Sequence, residues 1–155
     1  MVFYNHIIIL FTFFFFILYL NYNGNSYSQP EDDTLIASLI DKGNSLRNEG
    51  RNEEAIQYFN KVLEIYPYDF RALIGKGDSL GKLGKYNEAI QYFNKILEMD
   101  PDNTLALLVK GDALAALGKY NEAIRYYNKV LEIYPYDFRV LILNDIVNLY
   151  TYGKI

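Results

Sequence analysis

A repeat of 34 residues constrains this chain more than any other feature of its sequence. The twelve residues NKVLEIYPYDFR occur at 60–71 and again at 128–139, a displacement of 68 residues (128 − 60), or two periods of 34. The segment GKYNEAI occurs at 84–90 and 118–124, one period apart (118 − 84 = 34). A repeat of this length is one supersecondary unit that cannot bury its apolar face alone. The sequence therefore predicts three stacked units, at 36–69, 70–103 and 104–137, that share a continuous core.

Each unit is predicted to be a hairpin of two helices. A glycine that can adopt a left-handed backbone ends the first helix at Gly50, Gly84 and Gly118, and the second helix ends before Pro67, Pro101 and Pro135. Small residues recur where the two helices are expected to approach closely. These residues are Gly43, Gly77 and Gly111 in the first helices, and Ala55, Ala89 and Ala123 in the second.

This pattern resembles the tetratricopeptide repeat family, which has a 34-residue period and an ordered series of leucine, glycine, alanine, aromatic and proline positions. One departure is that lysine occupies the place before the first-helix glycine, where the family usually has leucine, at Lys42, Lys76 and Lys110. The resemblance implies an all-α, right-handed superhelical solenoid of three helical hairpins. It also implies a concave groove that binds a peptide or a partner's helix.

Residues 138–155 begin like the first helix of a fourth unit. Apolar residues that include Ile142, Ile146 and Tyr150 recur at helical spacing, and Asp145 and Asn148 lie on the other side. We expect this segment to be a capping helix with a polar outer face, which would complete the solenoid.

Residues 1–28 differ in composition from the repeats, because all 34 Asp, Glu, Lys and Arg residues (15 + 19) lie at or beyond Glu31. Residues 7–20 form an apolar run that would be about 21 Å long as a helix, which is short for a bilayer core of about 30 Å. A cleaved signal peptide, with cleavage after Ser28, is one interpretation. An uncleaved membrane anchor over residues 2–22 is the second, and a helix buried in the globular fold is the third. The first two place the repeats outside the cytoplasm, secreted or anchored, after a linker at 29–35.

Composition narrows the possible chemistry. The chain has no cysteine, and its one histidine, His6, lies outside the repeats, so the repeats offer no thiolate or imidazole for catalysis or metal binding. A net charge of −4 offers no broad cationic surface for nucleic acid. Asp78 and Asp112, at the same place in successive units, form either an acid/base pair or a solvated polar ladder, and the ladder is favoured because no nucleophile accompanies them. We therefore predict a non-enzymatic protein without cofactor or metal.

The resemblance also indicates which residues line the groove. These are Ile40, Asn44, Arg47, Ile74, Asp78, Lys82, Leu108, Asp112, Ala115 and Ile142. The apolar row (Ile40, Ile74, Leu108 and Ile142) either contacts a partner or packs neighbouring helices together. Asp112 has Ala116 four residues later instead of a basic residue, so we expect its carboxylate to be free for an incoming donor.

Two alternatives concern how a partner is bound. The family's clamp for a C-terminal carboxylate needs Lys and Asn at groove places where this chain matches only at Asn44, so that clamp is not expected. Aromatic residues at the inter-repeat turns, such as Tyr68 and Tyr136, offer a different binding edge.

The predicted function is that of an exported or membrane-anchored protein–protein interaction module or scaffold, monomeric by itself. It would contact the membrane only through an uncleaved N-terminal segment. The alternative is an accessory subunit of an extracytoplasmic enzyme or assembly complex.

Overall fold

The computed structural model describes residues 30–153, with side chains from residue 33 onward. Within this range the chain forms seven helices and no strand, which confirms the predicted all-α hairpin-repeat fold. The helices are α1 Pro30–Asn48, α2 Asn52–Ile65, α3 Phe70–Lys82, α4 Tyr86–Met99, α5 Thr104–Ala116, α6 Tyr120–Ile133 and α7 Phe138–Tyr152. The chain divides into a unit that ends at Ala37 and a compact unit from Ser38, and the packing described below is that of the second unit.

The predicted signal or anchor segment over residues 1–28 lies outside the described residues. Between residues 30 and 153, none of the helices combines the length and the apolar character that a membrane crossing requires.

The turns are built by the residues that the repeat singles out. Gly50, Gly84 and Gly118 have φ values of 80°, 75° and 73°, so each adopts the left-handed conformation that a residue with a Cβ disfavours. At the other turn, a short polar side chain caps the next first helix. Asp69 accepts a hydrogen bond from the Ala72 N–H at 3.0 Å, and Asn103 accepts one from the Ala106 N–H at 3.1 Å. These caps satisfy backbone donors that a helix start leaves unpaired.

The recurring glycines of the first helices leave space for an aromatic ring of the second helix in the same hairpin. A Cβ on Gly77 would lie 2.4 Å from Cε1 of Phe93, and one on Gly111 would lie 2.5 Å from Cε1 of Tyr127. Both rings are buried in the core. The predicted close approach is therefore a contact between helix backbone and aromatic ring, which any larger residue at the glycine would block.

Two of the three recurring lysines of the first helices lie against a tyrosine of the second helix in the same hairpin. Lys76 Nζ is 4.5 Å from the ring centroid of Tyr92, and Lys110 Nζ is 4.4 Å from that of Tyr126. A cation over an aromatic face is attracted to it, and the aliphatic stem of lysine covers apolar surface. This contact gives Lys76 and Lys110 a structural role.

The predicted linker at 29–35 is corrected by the structure from residue 30 onward, because α1 begins at Pro30. Proline suits the first position of a helix, since its missing N–H would have no intrahelical partner there. The first helix thus begins six residues before the predicted start of the first unit at 36.

The expectation of a polar outer face on the C-terminal helix is also corrected. Val140 and Val147 are buried and anchor α7, whereas Ile142, Ile146 and Tyr150 are 59%, 43% and 62% exposed. The apolar residues of α7 form two faces, and the face with the two valines is buried. The other face is exposed, and it contacts the preceding hairpin through Tyr150, whose ring stacks on Tyr120 with the centroids 5.6 Å apart.

Candidate partner-binding groove

A pocket of about 200 Å³ lies where the second and third repeats meet. We call it the inter-repeat pocket. Asp78, Gly81 and Lys82 at the end of α3 line it together with Tyr86 of α4, and α5 contributes Val109 and Asp112. The repeat places successive first helices side by side, so residues 34 apart in sequence meet across this pocket.

Asp78 is neutralised by two cations. Its Oδ2 lies 3.1 Å from Arg47 Nη1 of α1 and 3.3 Å from Lys82 Nζ, four residues later in α3. The pair with Arg47 joins the first helices of two repeats. The pair with Lys82 is an ordinary contact one helical turn away on a partly exposed surface.

Asp112 does not have the free carboxylate expected from the sequence. Its Oδ1 accepts a hydrogen bond from the Tyr127 hydroxyl at 2.8 Å, and this is the correction that the structure makes at this residue. Partial burial raises the pKa of the Asp112 carboxyl, although the hydrogen bond from Tyr127 acts in the opposite direction. Burial and the adjacent carboxylate also raise the pKa of the Tyr127 hydroxyl, which stays protonated and donates.

The predicted apolar row does not act as one surface. Ile40 is 4% exposed, so its assignment to an open groove is corrected, and it belongs to the interior. Ile74 and Leu108 are partly buried against the core. Ile142 alone of the four is strongly exposed. For the other three, packing is the role that the structure favours.

The remaining predicted residues, Arg47, Asn44 and Ala115, do not line the pocket. Arg47 contacts it through its ion pair with Asp78. Asn44 is half-buried on α1, and Ala115 is partly buried against the core. The structure thus brings three predicted residues, Asp78, Lys82 and Asp112, together in one pocket.

Sequence reasoning did not predict that Tyr86 and Val109 line the pocket, or that the Tyr127 hydroxyl bonds to Asp112. A signal for Tyr127 exists in the repeat, because Phe59 and Phe93 occupy the same place in the first two units and only the third has a hydroxyl. A buried tyrosine hydroxyl needs a hydrogen-bond partner. Asp112, on the preceding helix, is that partner.

A stack of helical hairpins with a polar pocket between first helices defines a helical-repeat protein, and the comparisons identify its family. Two profiles described as tetratricopeptide repeat match residues 33–102 and 74–138, which together span 33–138. The chain belongs to the tetratricopeptide repeat family. A search of curated proteins found no match.

Solved structures of tetratricopeptide repeat domains share this fold. The first such domain of human RPAP3 is 26% identical with a TM-score of 0.72, covering 77% of this chain and 94% of that domain. The first domain of Spaghetti (RPAP3), bound to the HSP90 peptide SRMEEVD, is 26% identical with a TM-score of 0.70, covering 76% of this chain and 93% of that one. The second domain of human RPAP3, in complex with the HSP70 peptide SGPTIEEVD, is 23% identical with a TM-score of 0.69, covering 75% and 97%.

Proposed function

We propose that this protein is a non-enzymatic interaction module that binds a peptide segment of a partner protein along the first helices of its repeats. The observation that carries the proposal is the inter-repeat pocket, where Asp78, Lys82 and Asp112 converge beside apolar side chains. Concave sites that combine apolar walls with a few oriented polar groups are the usual form of ligand sites. The peptide-bound RPAP3 domains support the same use of this fold.

The chemistry of the pocket differs from that needed for the acidic peptides of those complexes. Asp78 is paired with Arg47 and Lys82, whereas Asp112 has no cationic partner among the described residues, so an acidic peptide beside Asp112 would add like charge. Of the residues in the family's carboxylate clamp, only Asn44 is present. The proposed partner segment is therefore not an acidic C-terminal tail.

Blocking the pocket tests this proposal. A Cβ on Gly81 would meet no atom within 4 Å, so Gly81→Trp fills the pocket without disturbing the core. We expect a tagged full-length chain with this substitution to lose the proteins that co-purify with wild type, and to keep its melting temperature. Gln91→Trp, at an exposed position of α4 that does not line the pocket, is the matched control and should retain those proteins.

An unchanged set of partners with Gly81→Trp would contradict pocket binding. If Tyr68→Ala or Tyr136→Ala removed the partners instead, the turn edge would be the binding surface. A catalytic complex among the co-purifying proteins would favour the accessory-subunit alternative over a scaffold.

We further propose that the repeats are exported, either released or held at the membrane by residues 1–28, and that the chain alone is monomeric. The apolar run at 7–20, free of charged residues, supports this proposal. Protease added to intact cells should degrade the repeats of a C-terminally tagged chain, or the repeats should be found in the medium. Full protection in intact cells, with degradation after lysis, would contradict export.

A further inference from the structure

The two groove carboxylates have the same repeat position and different surroundings. Asp78 faces the guanidinium of Arg47 and the ammonium of Lys82. Asp112 has no cationic partner among the described residues, and its one side-chain hydrogen bond is from Tyr127. One carboxylate is thus neutralised within the chain, and the other is not.

The repeat register explains the difference. Counting 34 residues on from Arg47 gives Gly81, and 34 on from Lys82 gives Ala116. Both cations that neutralise Asp78 are therefore replaced by small residues at the places beside Asp112. Because Gly81 has no side chain, the space that Arg47 fills beside Asp78 stays open beside Asp112, within the inter-repeat pocket.

Tyr127 adds a second feature to this site. Its hydroxyl holds Oδ1 of Asp112 and leaves Oδ2 without a partner within the described residues. The corresponding residues of the first two repeats, Phe59 and Phe93, have no hydroxyl. The third repeat alone thus combines an oriented carboxylate with an open neighbouring site.

From this register we infer that the inter-repeat pocket binds an arginine or lysine side chain of the partner, which pairs with Asp112 as Arg47 pairs with Asp78 within the chain. The inference rests on the proposed function and names the chemistry of its ligand. Charge complementarity identifies the occupant, because a guanidinium or ammonium satisfies the unpaired carboxylate. The Asp112 residue is exposed, so an incoming guanidinium or ammonium can reach its carboxylate.

The repeat register relates the exposed side of α7 to the pocket. Ile146 lies one period after Asp112 and Ile142 one period after Leu108, and both are exposed, so we expect a bound peptide to meet an apolar surface beyond Asp112. Neighbouring helices lie about 8–10 Å apart, and an extended peptide advances about 3.3 Å per residue. A bulky apolar residue about three positions from the basic one would therefore reach Ile142 and Ile146.

A displayed library of random twelve-residue peptides, selected on the full-length chain in detergent micelles, tests the inference. We expect the enriched peptides to share an arginine or lysine about three positions from a large apolar residue. One enriched peptide is then synthesised with arginine and with citrulline, its neutral isostere. Replacing arginine by citrulline should weaken binding to wild type about tenfold or more, as expected for a charge-assisted contact.

Asp112→Asn is the matched protein variant, because its amide oxygen still accepts from Tyr127 while the charge is removed. This variant should weaken binding of the arginine peptide by about as much as citrulline does in wild type. It should change binding of the citrulline peptide by no more than about twofold. The effects of the protein substitution and of the peptide substitution are then not additive. Gly81→Arg, which places a guanidinium one period on from Arg47, should remove the preference for the arginine peptide. The melting temperature of each variant serves as the folding control.

The outcomes separate this inference from the proposed function. Peptides that bind wild type and Asp112→Asn equally, but not Gly81→Trp, would overturn the cation site and leave groove binding standing. Peptides enriched in acidic residues, or with no common charge, would also overturn it. A library that yields no binder, or binders insensitive to Gly81→Trp, would contradict both.

Discussion

At the scale of single residues, the glycines of the first helices divide into two kinds with opposite expected responses to a methyl group. Gly77 contacts the ring of Phe93, and a Cβ there would lie 2.4 Å from it. Gly81, four residues later in the same helix, faces open space. Neither has a positive φ, so the contrast comes from packing and not from the backbone.

We predict that Gly77→Ala lowers the free energy of unfolding by about 1–3 kcal/mol, because the ring must move from a well-packed core. Gly81→Ala should leave it unchanged or raise it by up to about 1 kcal/mol, through the higher helix propensity of alanine. Urea denaturation of both variants measures the contrast. Equal stabilities would show that the repeat register assigned to α3 is wrong.

The raised pKa of Asp112 gives a second prediction at this scale. A carboxyl whose folded-state pKa lies above its ordinary value of 3.8 binds a proton more readily in the native state. Asp112 therefore contributes most to the stability of the fold when its carboxyl is protonated. This contribution declines as the pH rises from the unfolded-state pKa through the higher folded-state pKa. The titratable neighbours at the pocket are Tyr127, Asp78, Lys82 and Tyr86.

The measurement is the difference in unfolding free energy between Asp112→Asn and wild type as a function of pH. Groups that titrate alike in both proteins, such as Asp69 and Asp137, cancel in this difference. We expect the advantage of the variant to grow with pH across the acidic range and then level off. A difference that shrinks as the pH rises would mean that the Tyr127 hydrogen bond outweighs the burial of Asp112.

The residue-scale features were predictable where they belong to the repeat. The glycines at 43, 77 and 111 follow from periodicity alone, because the same packing problem recurs in each unit. The bond between Tyr127 and Asp112 did not follow, because it is a tertiary contact between α5 and α6 that occurs in one repeat. The neutralisation of Asp78 was half predictable, since Lys82 is a neighbour in sequence and Arg47 is brought near by the fold.

At the scale of helices, the repeat analysis did not predict the N-terminal caps. The residue just before each first helix after the first repeat is an N-cap, Asp69, Asn103 or Asp137, whose side chain accepts a hydrogen bond from a backbone N–H. These residues end the units as the sequence divides them, so they were not recognised as helix starts. A short polar side chain here is the expected signal for an N-terminus.

We predict that Asp69→Ala lowers the free energy of unfolding by about 1 kcal/mol, because the Ala72 N–H loses its acceptor. The exposed pair of Asp69 with Arg71 adds little to this loss. Asp102→Ala is the control, since Asp102 is exposed in the next turn and makes no hydrogen bond or ion pair in the described range. Thermal unfolding of the two variants checks the prediction, and equal losses would contradict a capping role.

Two elements departed from the sequence prediction for physical reasons. α1 begins at Pro30, six residues before the first unit that the 34-residue period defines, and proline suits the first position of a helix. The orientation of α7 is set by Val140 and Val147, which the alternation of apolar and polar residues did not distinguish from Ile142 and Ile146. A helix with two apolar faces gives no single direction in a periodicity analysis.

At the scale of the whole molecule, the 34-residue period determines the fold. The candidate site lies where residues at equivalent repeat positions differ in type. Three near-identical hairpins could be predicted from the sequence with their glycines and prolines, and family membership follows from the same pattern. The surroundings of Asp112 differ from those of Asp78 where the repeats differ, because Gly81 and Ala116 take the places of Arg47 and Lys82, and Tyr127 takes the place of Phe93. Such differences gain meaning only when the structure shows what each replaced residue contacts in the neighbouring repeat.

We propose that a partner protein occupies the pocket between the second and third repeats. Site-specific photocrosslinking in cells tests it most directly, with a photoreactive residue placed at Lys82 on the pocket, and at Gln91 and Tyr136 as positions away from it. We predict a partner adduct from Lys82 that Gly81→Trp abolishes, and none from Gln91 or Tyr136. Adducts from Tyr136 without any from Lys82 would contradict it.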